Sequence, residues 1–151
     1  LVAQSNIAVT YGTLGRLEEA LQMKRDVYSG HVKLNGEGHL DSLGAANNYA
    51  SSLLSLQRFE EAKALLRKTM PVARRVLGES SETALRMRWV YAAVLYNDPG
   101  ATLDDLREAV TTLEDAERIA RRVLGGAHPL TKFLQNHLLA ARAALPQSES
   151  V

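Results

Sequence analysis

The sequence predicts an all-α fold, an α-solenoid in which antiparallel helix pairs stack in series. Three observations predict it. A phrase recurs along the chain, GRLEEAL from Gly15 and QRFEEAK from Gln57, at an offset of 42 residues. Within the copies, apolar residues return at three- and four-residue steps, the period of a helix with one buried stripe. Nowhere does the chain alternate apolar and polar residues as a half-buried strand would.

The repeat is wider than that phrase. Ser5–Leu21 lies over Asn47–Lys63, with Asn6 on Asn48, Ala8 on Ala50, Leu14 on Leu56 and Arg16 on Arg58. Glu18, Glu19 and Ala20 fall on Glu60, Glu61 and Ala62. A third copy keeps Ala92 in line with Ala50 and then takes an insertion. ARRVLGE at Ala73–Glu79 returns as ARRVLGG at Ala120–Gly126, now 47 residues apart, with the extra residues around Asn97–Ala101. GEGH ending at His39 and GGAH ending at His128 mark the same joint between copies.

Each copy reads as two helices. The chain opens in a helical pattern, with Leu1, Val2, Ile7 and Val9 as apolar residues whose preceding repeat is missing. In the second copy, Leu43, Ala46, Ala50, Leu53 and Leu54 make the first stripe, and SLQR makes a short turn. Ala62, Leu65, Leu66, Thr69, Met70, Ala73, Val76 and Leu77 make the second stripe. Glu60 and Glu61 suit the positive start of that helix, and Arg74 and Arg75 its negative end. Gly78 sits where a left-handed cap belongs. Pro71 lies inside the helix, lacks an N–H and crowds the carbonyl of Arg67, so a kink is expected there. In the third copy YNDPGATLDD stops the first helix near Asn97, and Thr102 with Asp105 has the spacing of an N-cap and its box partner. The insertion therefore lengthens the loop and adds a turn to the next helix. Leu130–Leu145 matches the first helix of a fourth repeat and caps the array.

Composition narrows the function. A chain of 151 residues, 46% hydrophobic and 23% charged, suffices for one core-forming domain or one short array. Its net charge of +1 gives no general attraction to nucleic acid or to an anionic membrane, so neither is expected as a partner. With no cysteine, disulfides and thiolate metal sites are excluded. No run approaches the roughly 18 apolar residues that span a bilayer, and no signal peptide is visible. A cytoplasmic protein is expected. The opening without methionine reads as that of a fragment.

Catalytic signals are weak. Glu18/Glu19, Glu60/Glu61 and Asp104/Asp105 recur at helix starts, where they compensate the dipole. His31, His39, His128 and His137 form no i, i+4 metal pair, and two of them are joint residues. GEG and LGG match no phosphate-binding loop. The terminal ESV faintly resembles a PDZ ligand. No cofactor, no metal and no enzymatic activity are expected.

The repeats resemble the tetratricopeptide repeat, and within it the long variety of kinesin light chains, with a period of 42 and joints such as RVLGGAHPLT at Arg122–Thr131. The resemblance covers Leu1 to about Leu145. It implies a right-handed superhelix forming a single array over 1–145, with repeats at about 1–42, 43–84 and 85–131, a terminal helix over 130–145 and a disordered tail over 146–151. The family places small residues where its helices touch, here Ala8, Ala50 and Ala92 at one position and Ala20, Ala62 and Ala109 at the other. The physics agrees, because helices approach closely only where no bulky side chain stands between them. The joints at LNGEGHL and LGESSET depart from the family pattern in having no proline.

The resemblance also implies that the first helices line a concave groove holding an extended peptide of a partner protein. The residues expected to face that groove are Asn6, Asn47, Asn48, Ser51, Arg86, Trp89, Asn136 and His137, with Ser5 and Val90 beside them and Gly44 and Phe133 one turn earlier. Asparagine amides pair with a peptide backbone of any sequence. Asn48 and Arg86 correspond to two residues of the carboxylate grip in chaperone-binding members of the family, but Val9 and Val90 stand where that grip needs polar groups. Trp89, which follows Arg86 and Arg88, is expected either to pack as an inter-repeat core residue or to be partly exposed and stacked on guanidinium. The alternative is a purely structural solenoid segment that packs on neighbouring repeats, another domain or a second copy, with homo-association through the uncapped N-terminal end.

Overall fold

The structure, a computed structural model, describes residues 16–146. The expectations for Ser5, Asn6, Ala8, Val9, the N-terminal end and the tail beyond Pro146 lie outside the described residues. Among the described residues all regular structure is helical: α1 (Leu17–Asn35), α2 (Leu40–Ser55), α3 (Phe59–Leu77), α4 (Glu82–Asn97), α5 (Leu103–Leu124) and α6 (Pro129–Ala144). The chain divides into two compact units, Leu1–Val76 and Leu77–Val151.

In the first unit, α1 begins with Glu18 and Glu19 in its first turn and carries Lys33 in its last, both favourable to the dipole. It stops at Gly36, whose φ of 85° and ψ of 166° fall in a region open essentially to glycine alone. Ser42, fully buried, donates its hydroxyl to the Gly36 carbonyl at 2.7 Å and pins the loop onto α2. The N-cap of α2 is His39, whose Nδ1 accepts the Asp41 N–H at 3.1 Å. At the far end of α2, the Gln57 N–H donates to Leu54 O and the Arg58 N–H to Leu53 O, both at 2.9 Å. This double bond is a Schellman ending, and Gln57 pays for it with a φ of 59°. In the sequence, Gln57 aligns with Gly15 of the first copy, 42 residues earlier.

Arg58 then joins two helix starts, reaching Glu61 of α3 at 2.8 Å and Glu18 of α1 at 3.3 Å. α3 runs on through Pro71 to Leu77, so the proline does not end the helix. Leu21 and Val27 of α1, Leu43 and Leu53 of α2, and Leu66 of α3 are buried. The alanines expected at close contacts, Ala50 and Ala62, are wholly buried.

In the second unit, Ser81 caps α4 by accepting the Ala84 N–H at 3.1 Å. Every residue from Val90 to Leu95 is buried, so α4 is enclosed on nearly all sides. α5 and α6 both pack against it. The insertion makes a tight turn in which Gly100 N–H donates to Asp98 Oδ1 at 2.8 Å and Ala101 N–H to Asp98 O at 3.0 Å. Thr102 and Asp105 then close a capping box, with bonds of 3.1 and 3.0 Å. α5 has 22 residues against 19 in α1 and α3, which is the added turn. Gly125 ends it at a φ of 92° and ψ of 157°, and His128 caps α6. Gly78 also takes a positive φ, 87°, as a glycine cap requires.

Candidate functional site

The first helices of the copies, α2, α4 and α6, carry the predicted binding residues. On α2, Asn48 is exposed, while Asn47 and Ser51 are half-buried. Asn47 Oδ1 is buried, with no hydrogen-bond partner among the described residues. A side-chain carbon added at Gly44 would meet open space, so α2 has room there on its surface. Tyr49 packs beside Tyr28 of α1 with ring centroids 6.1 Å apart.

In the second unit the predicted residues come together around one aromatic group. Trp89 of α4 meets Phe133 and His137 of α6 edge-on, at 4.8 and 5.2 Å between centroids. Phe133 and His137 stand 4.8 Å apart, one helical turn from each other. Tyr96 completes the group, its hydroxyl hydrogen-bonded to His137 Nδ1. The ring partners of Trp89 are therefore aromatic side chains of α6. Arg88, expected beside it as a stacking cation, is buried and faces Glu79 at 3.7 Å. Val90, expected on the open side, is wholly buried.

Burial sets the electrostatics of this cluster. It lowers the pKa of His137, because a charged imidazole is poorly solvated among rings. It raises that of the Tyr96 phenol, against a smaller opposing effect of Asn97. Phe133 keeps 44% of its surface exposed and walls a cleft of about 170 Å³ with Arg86, Pro129 and Leu130. Arg86 is exposed and lies 3.9 Å from Glu82. The cleft joins an apolar floor to a cationic rim, so it suits an apolar side chain more than a reaction. Asn136 is exposed on α6.

A second cleft, of about 380 Å³, lies between α5 and α6 and is lined by Glu117, Arg121, Gln135, Leu138, Leu139 and Arg142. Arg121 and Gln135 donate to Glu117 at 2.7 and 3.1 Å. Burial of Glu117 acts to raise its pKa, but these bonds and the charges of Arg121 and Arg142 prevail and hold it below the usual value.

Sequence reasoning missed Tyr96 and the Glu117 group. Tyr96 stands seven residues after Trp89, two turns along the same face, and that step was the available signal. Glu117 and Gln135 belong to different helices, and nothing in their own segments pairs them. Among the described residues no group of three or more histidines and carboxylates could hold a metal, and no helix is long and apolar enough to cross a membrane.

The tetratricopeptide repeat family matches residues 1–41 and 42–82. Among solved structures, the chain is similar to the nearly identical TPR-like repeats of a Podosopora anserina protein described as a kinesin light chain. That similarity is 22% in identity, with a TM-score of 0.84 over 95% of this chain and 66% of the other. BtubC (BKLC) from P. vanneervenii is 19% identical, with a TM-score of 0.77 over 93% of this chain and 54% of the other. The chain thus spans about two thirds and about half of these two, and at such identities the likeness is one of fold: an all-α solenoid of TPR-like repeats. No curated protein matches.

Proposed function

Because the chain belongs to the tetratricopeptide repeat family, whose repeats are generally protein-interaction scaffolds, we propose that it holds an extended peptide segment of a partner protein along the first helices of its copies. The observation that carries this reading is the cleft of Arg86, Pro129, Leu130 and Phe133, beside the Trp89 cluster. An apolar side chain of the peptide enters that cleft, and Arg86 meets a polar or anionic group next to it. Asn47, Asn48, Ser51 and Asn136 supply amide and hydroxyl groups for the peptide backbone. The reading assigns the chain no chemistry, no cofactor, and no nucleic-acid or membrane partner. A reducing, cytoplasmic setting fits a chain without cysteine.

The test is binding of the intact chain to an array of extended peptides. Arg86→Glu and Asn48→Ala should each weaken the peptides captured, on the order of tenfold, with folding unchanged. If no peptide is captured, or capture is indifferent to both substitutions, the groove assignment fails and a purely structural segment is left. In that case a concentration series by sedimentation should show self-association.

A further inference from the structure

The joint after α1 carries a pair of residues that the later joints lack. Asn35 precedes Gly36, whereas the aligned positions before Gly78 and Gly125 hold Leu77 and Leu124. Both residues of the pair are exposed. Apart from its chain neighbours, no heavy atom lies within 4 Å of the place where a side chain on Gly36 would begin. Asparagine is a chemically labile residue. Its side-chain amide is most open to attack by the following backbone nitrogen when that nitrogen belongs to glycine, which has no Cβ to obstruct the approach. We propose that Asn35–Gly36 is a gated deamidation site: the packed joint keeps it closed, and each opening of the joint exposes Asn35 to conversion into aspartate and isoaspartate.

The step balances with water as its only co-reactant. The Gly36 nitrogen gives its proton to solvent and bonds to Cγ of Asn35. The Cγ–Nδ2 bond breaks, and Nδ2 leaves as ammonia with a proton taken from water. Water then opens the resulting five-membered imide at either carbonyl. One opening leaves an ordinary aspartate. The other sends the main chain through Cγ and so lengthens it by a methylene between the two residues. Nothing is oxidised or reduced.

The packed joint holds this step back. Asn35 is the last residue of α1, and a helical backbone keeps its Cγ out of line with the Gly36 nitrogen, short of the aligned close approach that intramolecular attack needs. The Gly36 N–H is committed to Val32 O at 2.8 Å. The Gly36 carbonyl accepts the hydroxyl of Ser42, wholly buried in α2, at 2.7 Å. The loop also rests on α3, where Val76 would stand 3.4 Å from a side chain begun at Gly38. Glu37 pairs with Lys68 at 3.3 Å, but on the surface, where such a pair contributes little. Reaction therefore waits on fraying of the last turn of α1, the kind of local opening that helix ends allow. Once it has happened, the added methylene displaces Gly36 from Val32 O, and a new carboxylate at the end of α1 opposes the helix dipole. Modification thus loosens the joint between α1 and α2 in one direction only. It does so whether or not the groove takes a peptide.

The experiment incubates the full chain at neutral pH and follows Asn35 by peptide mass spectrometry, with isoaspartate separated by chromatography. A synthetic peptide of Lys33–His39, which has no such clasp, is the open reference. Asn35 should convert in the natural chain on the order of tenfold or more slowly than in the peptide, since its reactive state is reached only by local opening. Ser42→Ala removes the hydroxyl that holds Gly36 and should speed conversion several-fold, up to about tenfold, as one lost hydrogen bond allows. Asn48 and Asn136, followed by Tyr49 and His137, should remain amides over the same period. Should Ser42→Ala fail to fold, urea below the unfolding transition opens the joint of the natural chain and should speed conversion in step with amide exchange at Gly36. Conversion in the natural chain as fast as in the peptide would overturn the gate. So would a rate that neither Ser42→Ala nor urea raises. Asn35 still an amide in every sample, the peptide included, would overturn the site itself.

Discussion

α2 and α4 occupy the same place in successive copies, yet they are different kinds of helix. α2 has six buried residues, and its surface carries Asn47, Asn48, Ser51, Ser52 and Ser55. α4, of equal length, has ten buried residues and puts Trp89 and Tyr96 where α2 has Asn47 and Leu54. The alanine of close approach, Ala50 in one and Ala92 in the other, is wholly buried in both. The repeat thus fixes the contact between its helices and leaves the chemistry of the face open. That freedom is what lets one backbone pattern carry an amide surface in one copy and an aromatic cluster in the next.

The comparison can be broken most forcefully through the core. Leu85→Ala in α4 and Leu53→Ala in α2 should each cost about 2–5 kcal/mol by denaturant unfolding, since both side chains are almost wholly buried. A value under about 1 kcal/mol at either place would mean that its helix is not packed as described.

Enlarging the shared alanine tests the part held in common. Ala50→Leu and Ala92→Leu should each destabilise by about 1–3 kcal/mol, because neither site has room for the added carbons. If one is tolerated and the other is not, the two copies differ in the contact itself as well as in their faces.

Next in size is the turn after α2. Gln57→Gly should raise the stability of the fold by about 1 kcal/mol, by relieving a positive φ that a side chain resists. A loss of stability in the melting curve would show that the Gln57 side chain earns its place by a contact.

Acid should act on the α4 side of the comparison in two steps. Burial lowers the pKa of His137, so the unfolded chain binds the proton first and stability falls as pH drops through the histidine range towards the folded-state pKa. Glu117 is also held below its usual pKa, so its contribution is complete above the ordinary glutamate value and is lost as pH falls towards its folded-state pKa. His137→Gln should remove the first step and Glu117→Gln the second, read from unfolding midpoints across pH. The smallest effect belongs to the face itself. Asn48→Ala and Arg86→Glu should change stability by less than about 0.5 kcal/mol, both side chains being exposed.

Much of the fold was legible in the sequence, because its signals are local. The helix period, the capping box of Thr102 and Asp105, the stop near Asn97 and the glycine at each joint depend on residues within a turn of one another. The candidate site was legible only in part. Position in the repeat pointed to Trp89, His137 and Phe133 as residues of one face. It could not show that Trp89 would turn to Phe133 and His137, since those partners lie more than forty residues away and their side-chain directions depend on packing.

The sequence by itself determined the helices, their order and the small residues at their contacts, because a periodic stripe of apolar side chains has one low-energy answer and a repeated stripe repeats that answer. Only the tertiary structure decided which polar and aromatic groups on those helices meet. His137 bonds Tyr96, Gln135 and Arg121 hold Glu117, and Val90 is buried where the pattern left it open, because such pairings depend on the distance and angle between packed helices, which no single segment encodes.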